Sequence, residues 1–292
     1  MAERADRNSA CAWRLALAEC VAPAYAALPG VRAVLLAGSV ARGWADRFSD
    51  VEMTVFWDAA PRDEARRAAA AQVGTLTTLY PYDDENAEWS DDVHVAGIEF
   101  QVSHRLVVAT EQWLADVVEG YDTALVKQDL IAIIQYALPL HGGDLIAAWR
   151  AVVADYPDGL AEAMVREHLG FRSRWARQKM LYRDDRLLLY DDFVQAEKAI
   201  LLSLMGLNRV YLPHLGFRWM NRLAAELTIA PPNLAARLAD VFRRPPAEAV
   251  AVLDSLIGET LRVVEQHMPE VDVSAERADF EATRPVTDAP TA

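Results

Sequence analysis

Residues 35–57 read LLAGSVARGWADRFSDVEMTVFW, and the order of residue types in this stretch decides how the rest of the chain folds around it. The short aliphatic, β-branched run Val31 to Ala37 predicts a strand that stops at Gly38-Ser39, after which residues 40–45 can form a turn of helix. Val51 to Trp57 alternates again, Val51, Met53 and Val55 against Glu52, Thr54 and Phe56, and predicts a second strand closed by residues 58–61. At the end of the first strand, backbone N–H groups can face an anion, and glycine lets a phosphate come close. Asp50 and Glu52 follow Ser39 at a distance of eleven and thirteen residues. Side chains alternate along a strand, so both carboxylates project from one face. Two acids on a strand otherwise rich in Val, Met and Phe are costly without a positive partner, and a divalent cation supplies one. Hard oxygen ligands with no accompanying His or Cys favour Mg²⁺ or Mn²⁺ over Zn²⁺. Taken singly, an ordinary β-turn and a solvated sheet face explain each piece; the two together at this spacing point to a site.

Working outward, residues 10–28 carry helical spacing and end at Leu28-Pro29-Gly30. An Ala/Arg-rich helix is expected over 62–73. Residues 75–92 contain a possible strand and an acidic, turn-rich stretch, and Val93 to Val108 reads as a hairpin or long bent strand with Gly97 at the bend. From about Thr110 the pattern turns helical: segments 111–119, 122–138, 143–154, 159–182, 190–207, 219–228, 233–242 and 246–267, joined at Pro139, Pro157, Pro213, Pro231-Pro232 and Pro245-Pro246. The expected class is therefore α+β, a mixed sheet with flanking helices followed by an all-α domain. The expected limits are a catalytic domain over 1–118, a helical substrate-binding domain over 119–273 and a disordered tail over 274–292, where apolar residues are sparse.

The 292 residues carry 43 acids against 29 Lys and Arg, a formal charge of −14. That balance argues against nucleic acid as a partner, because such binding draws on a broad basic surface. No apolar run approaches the roughly 20 residues that cross a bilayer, and the N-terminal residues mix acids and bases, so no membrane partner and a cytoplasmic location are expected. Cys11 and Cys20 match neither a zinc knuckle nor a disulfide framework. The six histidines form no ligand spacing; His104 is the one that could line a cleft. No P-loop, nucleophile elbow or Rossmann fingerprint occurs.

Gly38, Ser39, Ala41, Arg42, Gly43, Ser49, Asp50 and Glu52 together resemble the nucleotidyltransferase superfamily that includes DNA polymerase beta, kanamycin nucleotidyltransferase and the minimal nucleotidyltransferases. The segment LNRVYLPHLGFRWMNRL (207–223) is similar to the helical region of bacterial nucleotidyltransferase-like proteins. The resemblance implies a third carboxylate on a later strand. Within Ile98-Glu99-Phe100-Gln101-Val102, Glu99 is the choice; were Gln101 to take that position, a neutral amide would stand where an acid is expected. The resemblance further implies two Mg²⁺ ions, Mn²⁺ being an alternative, held by Asp50, Glu52 and Glu99, with ATP as substrate. Those three residues would be catalytic, Glu99 as base for an acceptor hydroxyl. Gly38, Ser39, Arg42 and Ser49 would hold the phosphates. Lys198 is either a phosphate ligand or a side chain with its amine extended to water. Arg209 and Tyr211, in a polar and aromatic loop, suit nucleotide and acceptor recognition. The implied activity is transfer of AMP from ATP to a hydroxyl of a small acceptor, a cationic one suiting the acidic chain. The reading from another class is a nucleotide-binding regulatory or antitoxin-like module without turnover.

Overall fold

The computed structural model describes residues 9–287; the readings made of the first eight residues and of 288–292 at the end of the tail lie outside the described residues. Helix α1 (Ser9–Ala26) leads into strand β1 (Val31–Leu36), the short helix α2 (Gly38–Arg42), strand β2 (Val51–Trp57) and helix α3 (Asp63–Val73). Strands β3 (Thr75–Leu79), β4 (Glu88–Val95) and β5 (Ile98–Leu106) follow, then α4 (Val107–Val118), α5 (Leu125–Tyr136), β6 (Leu138–His141) and α6 (Gly143–Val152). The six strands lie in the order β3-β4-β5-β2-β1-β6. Strands β2 and β5 run parallel and every other pair antiparallel, so the sheet is mixed and the α+β expectation holds.

The two sheet faces differ in chemistry. Val34, Leu36, Val51, Met53, Val55, Trp57, Val93, Phe100 and Val102 are buried with Cys11, Ala18, Val21 and Tyr25 of α1 and with Ala69 and Ala70 of α3, which makes one core. On the other face Phe56 meets Trp149 of α6 edge-on, ring centroids 4.9 Å apart, and Ala33 and Leu35 are fully buried. Aliphatic burial of this kind contributes roughly 25 cal/mol per Å² removed from water. Toward β5 and β4 that same face turns polar, with Glu52, Glu99, Gln101, Asp92 and His94.

Within the first unit, several features differ from the expectations. The hairpin begins at Glu88 rather than Val93, because the acidic residues Asp91 and Asp92 are part of β4, and it turns through Ala96 (φ 50) and Gly97 (φ 83). Two consecutive positive φ values give the turn whose twist matches antiparallel strands. Pro139, read as a joint between helices, lies in β6, an edge strand paired with β1, where its missing N–H can face away from the ladder. That strand and α6 group residues 126–155 with the first unit, which comprises 1–120 and 126–155.

The second unit, 121–125 and 156–292, is helical: α7 (Asp158–His168), α8 (Arg174–Arg183), α9 (Arg186–Leu207), α10 (Met220–Glu226), α11 (Leu234–Arg243), α12 (Pro246–His267) and α13 (Ser274–Glu281). The run 159–182 is two helices broken at 169–173. Arg177, fully buried, donates from Nε to Asp192 (2.6 Å) and from Nη1 to Asp254 (3.0 Å), tying α8 to α9 and α12. The start of the tail is ordered: α13 inserts Phe280, 0% exposed, which Arg174 covers at 4.6 Å. Among the described residues no helix is long and apolar enough to cross a membrane.

Candidate functional site

The turn after β1 has the geometry that its sequence implies. Gly38 adopts φ 61, a conformation that costs a residue with a β-carbon about 1–2 kcal/mol. The space such a carbon would fill is taken by the Glu52 carboxylate. The Ala37 N–H donates to the Glu52 carbonyl at 2.8 Å, which locks the turn to the first residues of β2. Glycine here therefore serves the acid first: without a side chain, residue 38 lets Glu52 lie directly against the backbone. Asp50 immediately precedes β2 and is half-buried, as is Glu52. The helix that follows has only five residues, so few aligned peptide dipoles stand behind the turn, and its electrostatic contribution is smaller than a long helix would give. Gly38→Ala is expected to lower the melting temperature and to displace the Glu52 side chain, both measurable by thermal unfolding and by the Glu52 NMR resonances.

The parallel register sets Gln101 directly beside Glu52, and Val51 beside Phe100. The amide of Gln101 donates from Nε2 to Glu99 Oε1 at 3.3 Å. His94 Nε2 lies 3.7 Å from Glu99 Oε2, both side chains about half exposed. Asp92, opposite Gln101 on β4, accepts from the Tyr80 hydroxyl at 2.9 Å, which raises the Tyr80 pKa. The face thus holds a row Glu52, Gln101, Asp92 across three strands with Glu99 one step away. Among the described residues no group of three or more His, Cys, Asp or Glu side chains stands together as a ready metal site. Mg²⁺ is ordinarily held by one or two carboxylates together with substrate phosphates, and Asp50 and Glu52 beside the notch fit one ion of that kind. Gln101 rather than Glu99 is the register neighbour of Glu52, and Glu99 is two residues along the same strand.

The remaining expected residues fall as follows. Ser39 is on the first turn of α2 and half-buried. The Arg42 guanidinium lies over the rings of Tyr136 (4.3 Å) and Trp44 (5.3 Å). Ser49 is built into a turn, its hydroxyl accepting from the Asp46 N–H at 2.9 Å while its carbonyl accepts from Arg14 Nε at 2.9 Å. In the second unit Lys198 Nζ sits over the Phe217 ring at 5.0 Å, and Arg209 is held by Asp158. Tyr211 is only 3% exposed and stacks on Tyr156 with centroids 4.6 Å apart, so its ring offers no open face for a base. Burial pushes the Tyr211 phenol up to about 12. Next to Lys198, Glu197 was not singled out from sequence, yet burial raises its carboxyl to about 8. Nothing in its local Ala-Glu-Lys-Ala setting distinguishes it from a solvated helix residue.

His104 does not line a cleft. It is fully buried on the opposite sheet face, where Trp57 Nε1 donates to its Nδ1 at 3.2 Å and its Nε2 lies 2.9 Å from Asp91. Because Nδ1 accepts, Nε2 carries the proton and donates to Asp91. Asp91 also pairs with the fully buried Arg66, which donates to the carbonyls of Tyr80 (2.9 Å) and Ser90 (2.7 Å).

No family model matches the chain, and no curated protein matches it. Among solved structures it is similar to a nucleotidyltransferase-like protein from Exiguobacterium sibiricum 255-15, at 10% identity and a TM-score of 0.38, over 88% of this chain and 80% of that one.

Proposed function

We propose that the Gly38-Ser39 turn and the Asp50/Glu52 pair bind ATP with the Mg²⁺ it carries, and that the chain transfers AMP to a hydroxyl of a small, cationic acceptor with release of pyrophosphate. The observation that carries this reading is the seating of the Glu52 carboxylate in the notch left by Gly38, at the start of β2 and two residues after a second acid, Asp50. Asp50 and Glu52 would hold the ion, which when bound offsets phosphate charge. The backbone N–H of Ser39, on the first turn of α2, and its hydroxyl would suit phosphate oxygens. Glu99, steadied by the Gln101 amide and half exposed, would accept the proton of the acceptor hydroxyl. The acidic balance of the chain favours a cationic acceptor over RNA.

A second reading rests on Gln101. An amide directly beside Glu52 leaves two acids where transfer chemistry profits from three, which favours a regulatory or antitoxin-like module that holds nucleotide without turning it over. Pyrophosphate release from ATP, followed across a panel of hydroxyl-bearing acceptors including aminoglycosides, separates the two. The enzyme reading expects release that needs Mg²⁺ and falls about 100-fold or more in Asp50→Asn and in Glu52→Gln with melting temperature retained. ATP binding with no release from any acceptor supports the second reading. Absence of both binding and release rejects both.

A further inference from the structure

In the helical unit, α8 presents Trp175, Gln178, Lys179, Tyr182 and Arg183 on one side, while Arg177 and Met180 on the other side are buried. These spacings of three and four residues place the five side chains in adjacent rows of one helix face. The segment after α13 runs over that face. Pro285, Val286 and Thr287 form the opposing wall of a cavity of about 500 Å³, within the usual range for small-molecule sites.

The lining has two chemical characters. Its one open ring is Tyr182, 93% exposed; the Trp175 ring is already covered by Lys179 at 4.8 Å and Arg284 at 4.9 Å from its centroid. Its charges are positive, from Lys179 and Arg183 in the wall and Arg284 at its edge. Among the described residues no carboxylate pairs with any of these three cations, and the neighbouring acid Asp184 is engaged by Arg186 at 2.7 Å. In a chain with 43 acids and 29 bases, three cations without acidic partners around one cavity are a local reversal of charge. Cations grouped around one cavity attract an anion more strongly than the same cations dispersed over a surface.

We infer that this cavity binds a small anion that carries a planar ring, of the mononucleotide class. The ring would stack on Tyr182, and the phosphate would accept hydrogen bonds from Lys179 and Arg183. A base contributes through its π-face whatever its identity, so a modest preference among bases is expected. This site is in the second unit and does not depend on the Gly38 and Glu52 arrangement.

Calorimetric titration of the full chain with 5′-AMP tests it, with EDTA present so that metal-dependent binding elsewhere is silent. Adenosine, which lacks the phosphate, and ribose 5-phosphate, which lacks the base, are titrated alongside. The expected result is saturable binding of AMP, weaker by about ten-fold or more for each fragment and in both Lys179→Ala/Arg183→Ala and Tyr182→Ala. All three substituted side chains are at the surface or half-exposed, and thermal unfolding verifies that the variants fold. No binding of AMP to the intact chain overturns the assignment, as does AMP affinity that is unchanged in the double variant.

Discussion

Asp91→Ala is expected to destabilise the first unit by about 3 kcal/mol, the cost of removing the buried partner of a buried cation. Asp91 is fully buried between Arg66 and His104, and these three join α3, β4 and β5, while Trp57 links β2 to the same group. Removing the carboxylate leaves the Arg66 guanidinium, which is 0% exposed and already has Nε without a hydrogen-bond partner, with only the exposed Asp63 carboxylate at 3.2 Å. Denaturant titration measures the loss. The double replacement Arg66→Met/Asp91→Leu is expected to recover much of it, since well-packed apolar residues can substitute for a buried ion pair. The same group sets a pH response. Burial holds the His104 pKa below its usual 6.5, against the opposing effect of Asp91. The folded chain therefore refuses a proton that the unfolded chain accepts, and stability contributed by neutral His104 is present above about pH 6.5 and falls as the pH drops below it. His104→Phe should flatten that part of the stability curve.

Gln101→Glu is expected to change the site most. The substitution keeps size and removes the amide that donates to Glu99, placing one new carboxylate beside Glu52 and close to Glu99. Without a cation the added charge is repulsive, so the melting temperature of the variant should fall in EDTA and recover on adding Mg²⁺. The wild-type chain, with the neutral amide, should show a smaller Mg²⁺ response. If the unsubstituted chain transfers AMP slowly, the variant should do so about 100-fold faster, within the range that a well-placed base or ligand contributes. A variant that gains neither metal dependence nor rate would mean that position 101 is not part of the chemistry.

The parts of the site that were legible in the sequence are the local ones. Gly38 and Val51 to Trp57 each declare themselves by a backbone requirement or by strand alternation, and the approach of Glu52 to Gly38 follows from the antiparallel register that sets Leu36 opposite Met53. The third position was not legible, because whether Glu99 or Gln101 stands beside Glu52 depends on the register of two parallel strands separated by more than forty residues. Composition misled at β6, where Pro139 signals a break in a helix but is tolerated on an edge strand. It misled again over α13, where a single buried Phe280 anchors a segment with few other apolar residues. His104 looked like a cleft residue because its partners Trp57 and Asp91 belong to other strands. Tyr211 looked like a stacking platform because polar neighbours surround it in sequence, while in space Tyr156 covers it.

The most direct test of the account is amide NMR of the chain titrated with ATP and Mn²⁺, whose unpaired electrons broaden nearby resonances. Binding at the Gly38 notch requires that the amides of Gly38, Ser39 and Val51 broaden first, and that Glu52→Gln abolishes the effect while leaving the remaining spectrum in place. Broadening that centres on other residues, or that persists unchanged in Glu52→Gln, would contradict it.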